Sequence, residues 1–140
     1  MPLAGTRLTI EQALALCSVM GWTGTNLTTA VAVMTGESGR YTKAWHDNLA
    51  PDGSIMSTDR GLFQVNDAAH PNLSDLDAYN GVENTRYSHK LWVSQGFGPW
   101  AAFNSGAWRK FRTEVRVIRL THPWRWRRLK STIVDVVDNT

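Results

Sequence analysis

Apolar side chains recur every three or four residues in three long stretches of the chain, and this is the spacing of amphipathic helices. In the first stretch, Thr9 and Gln12 have the spacing of a capping box and predict a helix that runs to about residue 20. The second stretch has a helix start signal at Thr25-Asn26, whose short polar side chains can cap the first turn, and it is followed by Gly39, where a helix C-cap is expected. The third stretch covers residues 80–95. The pattern therefore predicts a mainly α fold.

The helical spacing disappears between the second and third of these helices. Polar and turn-forming residues dominate residues 41–60, where Asp52-Gly53 is a turn signal. Short extended pieces at residues 55–56 and 62–65 are predicted to pair as a small antiparallel hairpin, because apolar and polar side chains alternate in the second piece. We therefore expect an α+β arrangement, in which a helical bundle carries a small β-hairpin that lines a cleft.

The last third of the chain contains shorter elements. The pattern predicts a short helical piece at residues 100–103 and a last helix from about residue 107 to about residue 120. Pro123 ends this helix, and an aromatic and basic cluster follows it at residues 124–130.

Composition restricts the class of protein. The chain has 140 residues, of which 42% are hydrophobic, and this is enough to bury one core. Its single cysteine, Cys17, excludes an intrachain disulfide and lies in an apolar helical run, where a buried thiol is expected. No apolar run approaches the roughly 20 residues needed to span a bilayer. Residues 1–9 lack a basic segment followed by an apolar one, so we expect no signal peptide.

Charge is distributed unevenly along the chain. Residues 1–106 carry six Lys and Arg against nine Asp and Glu, whereas residues 107–140 carry nine against three. A mildly acidic body with a basic C-terminal part suggests that the C-terminal part contacts something anionic.

Glu37 is the candidate catalytic group. It lies seven residues after Ala30 and four after Val33, so it continues the apolar stripe of the second helix. Partial burial and the partial negative charge at the end of a helix are both expected to raise its pKa. A glutamic acid that stays protonated near neutral pH can donate a proton. Position alone does not establish this role, because most glutamates at helix ends are surface residues.

A second carboxylate, Asp59, precedes the second extended piece. A helix end that faces a hairpin forms a groove, and a groove with a proton donor and a second carboxylate suits glycoside cleavage. There the acid protonates the departing sugar oxygen. The second group stabilises the oxocarbenium-like state, attacks it or activates a water. The structural alternative for Asp59 is a loop carboxylate that caps the N–H groups of residues 61 and 62.

Three motifs extend this interpretation: ESG at residues 37–39, STDRGLFQVN at residues 57–66 and AAFNSG at residues 101–106. In this order they resemble the lysozyme superfamily, in particular the soluble lytic transglycosylase and goose-type branch with its phage-encoded members. The resemblance covers about residues 9–112. It implies an α+β lysozyme-like catalytic domain over residues 1–112, followed by a basic, Trp- and Arg-rich C-terminal extension over residues 113–140.

The resemblance also implies roles for the first two motifs. Glu37 matches the general acid/base of the family, and Ser38 matches a residue that supports the reaction. Gly61, Leu62 and Gln64 match the cleft wall, where backbone groups and the Gln64 side chain hold the N-acetyl groups of the sugars.

Four further residues are predicted to bind substrate. Phe103 and Asn104 match the Tyr-Asn pair of the third motif, although Phe103 lacks the hydroxyl group that would reach towards the catalytic acid. Asn66 lies on the polar side of the second motif. Trp45 has polar surroundings in the sequence and is predicted to stack on a sugar face.

The resemblance implies an enzyme that cleaves the β-1,4 bond between N-acetylmuramic acid and N-acetylglucosamine in peptidoglycan, and it favours a lytic transglycosylase. The first alternative is a true hydrolytic lysozyme that uses Glu37 with Asp59. The second alternative is a non-catalytic wall-binding module or a phage tail component.

We expect no cofactor and no metal, because the four histidines are widely separated and no calcium-loop spacing is present. Residues 122–130 combine Arg and Trp, which suits an anionic wall polymer or a membrane surface, or packing on the body of the protein. No nucleic-acid-reading motif is present. We expect a monomer that acts at the bacterial cell wall and is delivered as a phage lysin or with a virion.

Overall fold

The computed structural model describes residues 4–140, so the start of the segment for which we expect no signal peptide lies outside the described residues. Within this range the chain forms eight α-helices and a three-stranded sheet. The helices are α1 Ile10–Met20, α2 Gly24–Ser38, α3 Asp75–Ala78, α4 Gly81–Gln95, α5 Ala101–Asn104, α6 Arg109–Thr121, α7 Pro123–Leu129 and α8 Ile133–Asp138. The strands are β1 Trp45–Leu49, β2 Ile55–Arg60 and β3 Val65–Asn66. In the described part of the chain, no helix is long and apolar enough to cross a membrane.

The fold confirms the mainly α, α+β prediction. At the start of α1, the backbone N–H of Gln12 donates to Thr9 Oγ1 at 3.0 Å, and the N–H of Thr9 donates to Gln12 Oε1 at 2.9 Å. This is the predicted capping box. At the end of α2, Gly39 has φ 62° and its N–H donates to Thr35 O, as expected for a C-cap.

The predicted N-cap of α2 at Thr25-Asn26 is wrong. The helix begins at Gly24, Thr23 is its N-cap, and Thr25 and Asn26 lie within the first turn. The preceding turn is set by tertiary packing, because Trp22 is fully buried and its ring stacks on Phe63 at 5.5 Å. A local capping signal is too weak to oppose the burial of a tryptophan.

The predicted pairing of residues 55–56 with residues 62–65 is also wrong. Ile55 of β2 lies opposite Leu49 of β1, and residues 61–64 form a turn. A small antiparallel hairpin is present, but it joins the end of β2 to β3, with Asp59 opposite Asn66 and Arg60 opposite Val65. The sequence of β1, WHDNL, lacks the alternation that identifies a strand. Its pairing with β2 is stabilised instead by polar cross-strand contacts, such as the hydrogen bond between Asn48 and Ser57 at 3.1 Å.

The core lies where α1 and α2 pack against α4, α6 and the C-terminal helices. Both long helices bury most of their apolar residues, and the buried Cys17 thiol matches its prediction. Burial raises the pKa of this thiol, so it stays protonated.

The C-terminal segment also contributes to the core. Trp126 on α7 and both Ile133 and Val137 on α8 are buried. Helix α8 was not predicted, since its six residues are too few for a clear helical period. Helix α6 runs through residue 112, where we placed the boundary between domain and extension, and that boundary stays a prediction.

Candidate functional site

A groove of about 400 Å³ lies between the C-terminal end of α2, the sheet and α5. Glu37 and Asp59 both line it, so the structure brings the two candidate carboxylates together. The complete lining set is Gly36, Glu37, His46, Asp59, Gln64, Ala101, Ala102, Ser105 and Ala107.

Glu37 lies on the last turn of α2, where α5 packs closely against the helix. Gly36 makes this approach possible, because a Cβ atom at this position would lie 3.0 Å from Ala102 Cβ. The backbone N–H of Ala102 then donates to Glu37 Oε2 at 2.7 Å. One carboxyl oxygen is therefore held by the start of α5, and the side chain is fixed across the groove wall.

The surroundings of Glu37 favour the protonated form of its carboxyl group. Burial raises its pKa to about 7, the hydrogen bond from Ala102 opposes this increase, and the negative charge of Asp59 adds to it. At neutral pH a substantial fraction of the carboxyl group is protonated. This agrees with the expectation from sequence, although burial contributes most of the effect.

Asp59 lies in the middle of a polar row that crosses the sheet. His46 on β1 is its cross-strand neighbour on one side and Asn66 on β3 on the other, so the three side chains share one face. Asn66 Nδ2 donates to Asp59 Oδ1 and to Ser57 Oγ, at 2.9 Å each. Asn66 therefore orients the second carboxylate.

Gln64 lies in the turn that connects β2 to β3 and has φ 51°, which is unusual for a residue with a side chain. Its Nε2 donates to Ala44 O and to Gly61 O, at 3.0 Å each. These bonds fix the amide side chain at the edge of the groove. Strain of this kind persists where the surrounding contacts determine the backbone, and such residues cluster at functional sites.

The turn itself is held by Asn84, a fully buried residue of α4 that sequence analysis did not single out. Its Oδ1 accepts from the N–H of Phe63 at 3.0 Å, and its Nδ2 donates to Arg60 O at 3.0 Å and to Ala78 O at 2.9 Å. Asn84 lies 21 residues from Phe63 and 24 from Arg60 in sequence, so no local pattern identifies it.

Three residues with predicted site roles, Ser38, Gly61 and Leu62, are buried. Ser38 is fully buried, where its Oγ donates to Met34 O and accepts from the N–H of Arg40. Leu62 is fully buried in the core. These contacts place Ser38 and Leu62 behind the groove, as support for α2 and for the β2–β3 turn.

The third motif is placed beside the groove. Phe103 stacks between Phe97 and Trp108, with ring centroids 5.4 Å from each. Asn104 Nδ2 donates to Gly98 O at 2.8 Å. This motif contributes Ala101, Ala102 and Ser105 to the groove lining, and the donor to Glu37 is the main-chain N–H of Ala102 rather than a side-chain hydroxyl.

The structure does not bring Trp45 to Glu37. Trp45 lies opposite Arg60 across β1 and β2, and neighbouring residues of a strand point to opposite faces. His46 and Asp59 occupy the groove face, so Trp45 lies on the other face, with 37% of its surface exposed. His46 in turn lines the groove, although its sequence context did not distinguish it from a surface histidine. Among the described residues, no group of three His, Cys, Asp or Glu side chains could hold a metal ion.

Comparison with known proteins gives one family. Residues 14–102 match the family model described as a lysozyme-like domain. The match includes both groove carboxylates and the start of α5. No curated protein and no solved structure matches the chain.

Proposed function

The chain belongs to the family of lysozyme-like domains, and from this premise we propose that it is a peptidoglycan-degrading glycosidase in which Glu37 is the general acid/base. Family membership implies peptidoglycan as the substrate and the cell wall as the place of action. The bond we propose is the β-1,4 link between N-acetylmuramic acid and N-acetylglucosamine. One observation carries the proposal: a partly buried glutamic acid with a pKa of about 7 lines an open groove.

The first step uses the protonated form of Glu37. Ala102 N–H occupies Oε2, so the transferable proton resides on Oε1 and passes to the glycosidic oxygen as the bond to the anomeric carbon breaks. Glu37 is then a carboxylate and acts as a base in the second step. A pKa near the working pH suits both duties, because the group must release a proton and then recover one.

For the second step we propose a lytic transglycosylase-like reaction. Glu37 takes the proton from the C6 hydroxyl group of the muramoyl residue, and this oxygen bonds to the anomeric carbon of the same sugar. The product is a 1,6-anhydro end, and no water is consumed.

Hydrolysis is the second candidate, and the position of Asp59 favours it. Asp59 lines the same groove as Glu37 and is oriented by Asn66. Two carboxylates on a scissile bond are the usual arrangement for hydrolytic glycosidases. In this reaction water supplies the hydroxyl group at the anomeric carbon. A mass spectrum of digested murein distinguishes the two outcomes, since the anhydro product is lighter by one water.

The experiment that tests the enzymatic role is Glu37→Gln. Gln keeps an oxygen to accept from Ala102 N–H but has no proton to donate. We expect pelleting on murein sacculi to persist while release of soluble muropeptides falls by about 10² to 10⁴-fold. The matched control is Glu83→Gln, the same change at an exposed ion pair with Arg86. Unchanged release by Glu37→Gln would reject the proposal, and loss of release by both variants would assign the effect to folding.

The remaining details are proposals that rest on the sequence resemblance. We propose a monomer of the phage-encoded type, without cofactor or nucleic-acid partner. Detection of the chain in purified virions supports delivery with the virion, and its absence there supports a lysin released inside the host.

A further inference from the structure

A second groove, of about 460 Å³, lies at the other end of α2, between that helix and α6. One wall carries arginines of α6 and the other carries hydroxyl side chains of α2. The lining residues are Gly24, Thr25, Thr28, Thr29, Arg112, Arg116, Arg119 and Leu120. We call it the arginine groove.

The three arginines follow one another at intervals of four and three residues, so they lie on one face of α6. Along the helix axis, the backbone positions of Arg112 and Arg116 are about 6 Å apart, and those of Arg116 and Arg119 are about 4.5 Å apart. The arginine groove therefore presents a row of positive charge, rather than a single cation.

The side chains of Arg112 and Arg116 make no ion pair or hydrogen bond among the described residues; Arg112 lies over the ring of Trp108 at 5.6 Å, and this stacking leaves its N–H donors open. Arg119 is anchored, since its Nη1 donates to Gly24 O and to Thr28 Oγ1. Arg112 and Arg116 are exposed. The ion pairs found within residues 4–140, Arg60–Asp75 and Arg86–Glu83, do not involve them.

The opposite wall suits an anion. Thr28 Oγ1 accepts a hydrogen bond from Arg119, which leaves its O–H free to donate to a ligand. Every charged residue in the lining is an arginine. Guanidinium and hydroxyl groups both donate hydrogen bonds to phosphate oxygen atoms, and no carboxylate in the lining would repel a phosphate.

We propose that the arginine groove binds a phosphodiester polyanion of the bacterial cell wall, with Arg112 and Arg116 contacting successive phosphates. The choice of a wall polymer rests on the proposed function, which places this chain at peptidoglycan. The row of cations fits a polymer with one phosphate in each short repeat. The concave, hydroxyl-lined shape fits a strand better than the plane of a membrane.

The position of the groove agrees with this assignment. Thr28 and Glu37 are nine residues apart on α2, which corresponds to about 13 Å along the helix. A polymer attached to a glycan strand would therefore reach the arginine groove while the strand lies at Glu37. Binding there would hold the enzyme on polymer-bearing parts of the wall.

The test is calorimetric titration of the full chain with a soluble poly(glycerol phosphate) oligomer at several salt concentrations. We expect binding that weakens with salt, because contacts to phosphates release counterions. The double variant Arg112→Gln/Arg116→Gln should weaken binding about tenfold or more and reduce the slope of log K against log salt by about 1 to 2.

The matched control is Arg125→Gln/Arg128→Gln. This variant removes the same charge from α7, within the basic cluster at residues 122–130. Both guanidinium groups that it removes lie over the exposed ring of Trp124. This control should weaken binding less than threefold. Equal loss in both variants, or greater loss in the control, would overturn the groove assignment.

Two other probes decide the kind of occupant. Single-stranded DNA of the same charge and phosphatidylglycerol vesicles should each bind at least tenfold more weakly than the polymer. Tighter binding of either probe would overturn the proposal in favour of nucleic acid or membrane. The soluble polymer lacks the bond between N-acetylmuramic acid and N-acetylglucosamine that Glu37 is proposed to cleave. Its binding therefore tests the arginine groove separately from the proposed function. Failure of the wild type to digest polymer-free murein would reject the proposed function alone.

Discussion

Helix α2 has a groove at each end, and the two grooves use ionisable groups in opposite ways. At the C-terminal end, burial raises the pKa of Glu37 to about 7 and makes the carboxyl group a proton donor. At the N-terminal end, Arg112 and Arg116 are exposed and line the groove with cationic side chains. The grooves have similar volumes, about 400 and 460 Å³, so the difference lies in solvation rather than in size.

The supports of the two grooves differ as well. The groove at Glu37 depends on buried polar contacts to the backbone, such as those of Asn84 to the β2–β3 turn. The arginine groove is formed by surface side chains of two packed helices. A buried polar network tolerates little change, because each lost partner leaves an unsatisfied group, whereas exposed side chains can find water.

The largest expected effect is the loss of stability when a glycine beside each groove is replaced by alanine. In Gly61→Ala, the new Cβ would lie 2.2 Å from Ala78 O and 2.6 Å from Asn84 Nδ2, at a residue with φ 73°. We expect a loss of about 3 kcal/mol or more in the free energy of unfolding. Gly24 lines the arginine groove and has φ 57°. In Gly24→Ala the new Cβ would meet no described atom within 4 Å outside its chain neighbours and its own helix backbone. Its cost should be about 1 kcal/mol, from backbone strain alone. Urea unfolding measures both, and equal losses would contradict the comparison.

The next effect is a gain of stability in Glu37→Gln. The pKa of Glu37 rises from 4.5 in the unfolded chain to about 7 in the fold. Between these pH values the folded protein binds more protons than the unfolded chain, so wild-type stability falls as pH rises. The variant should be about 3 kcal/mol more stable than the wild type at pH 8 and similar to it at pH 4. Urea titrations at both pH values measure this, and Arg116→Gln, which removes no titrating carboxyl, should show no such difference.

The two grooves should also respond differently to pH. Above pH 7 the protonated fraction of Glu37 declines, so the rate of muropeptide release should fall about tenfold per pH unit. Polymer binding at the arginine groove should stay constant over the same range, because its lining contains no carboxyl, imidazole or thiol group. Rates and affinities measured in one buffer series test this. A release rate that is constant from pH 6 to pH 9 would exclude Glu37 as the general acid.

The smallest effect concerns Asp59→Asn. The charge of Asp59 raises the pKa of Glu37, but it contributes less than burial. Removing it should move the alkaline limb of the pH–rate profile to lower pH by less than one unit, while muropeptide release continues. If release stops instead, Asp59 takes part in the reaction, and the hydrolytic candidate replaces the transglycosylase.

The sequence by itself determined the features that depend on neighbouring residues. The capping box of Thr9 and Gln12, the C-cap at Gly39 and the place of Glu37 on the buried stripe of α2 follow from contacts within four residues. Such contacts leave a pattern that can be read along the chain. The three motifs also predicted a family, and the family match over residues 14–102 confirms the lysozyme-like part of that prediction.

The tertiary structure decided what depends on distant residues. The pairing of His46 with Asp59 and the hold of Asn84 on the β2–β3 turn join positions 13 or more residues apart, as does the donation of Ala102 N–H to Glu37. No periodicity records these contacts. They determine how much water reaches Glu37, and the exclusion of water is the main reason why its pKa rises.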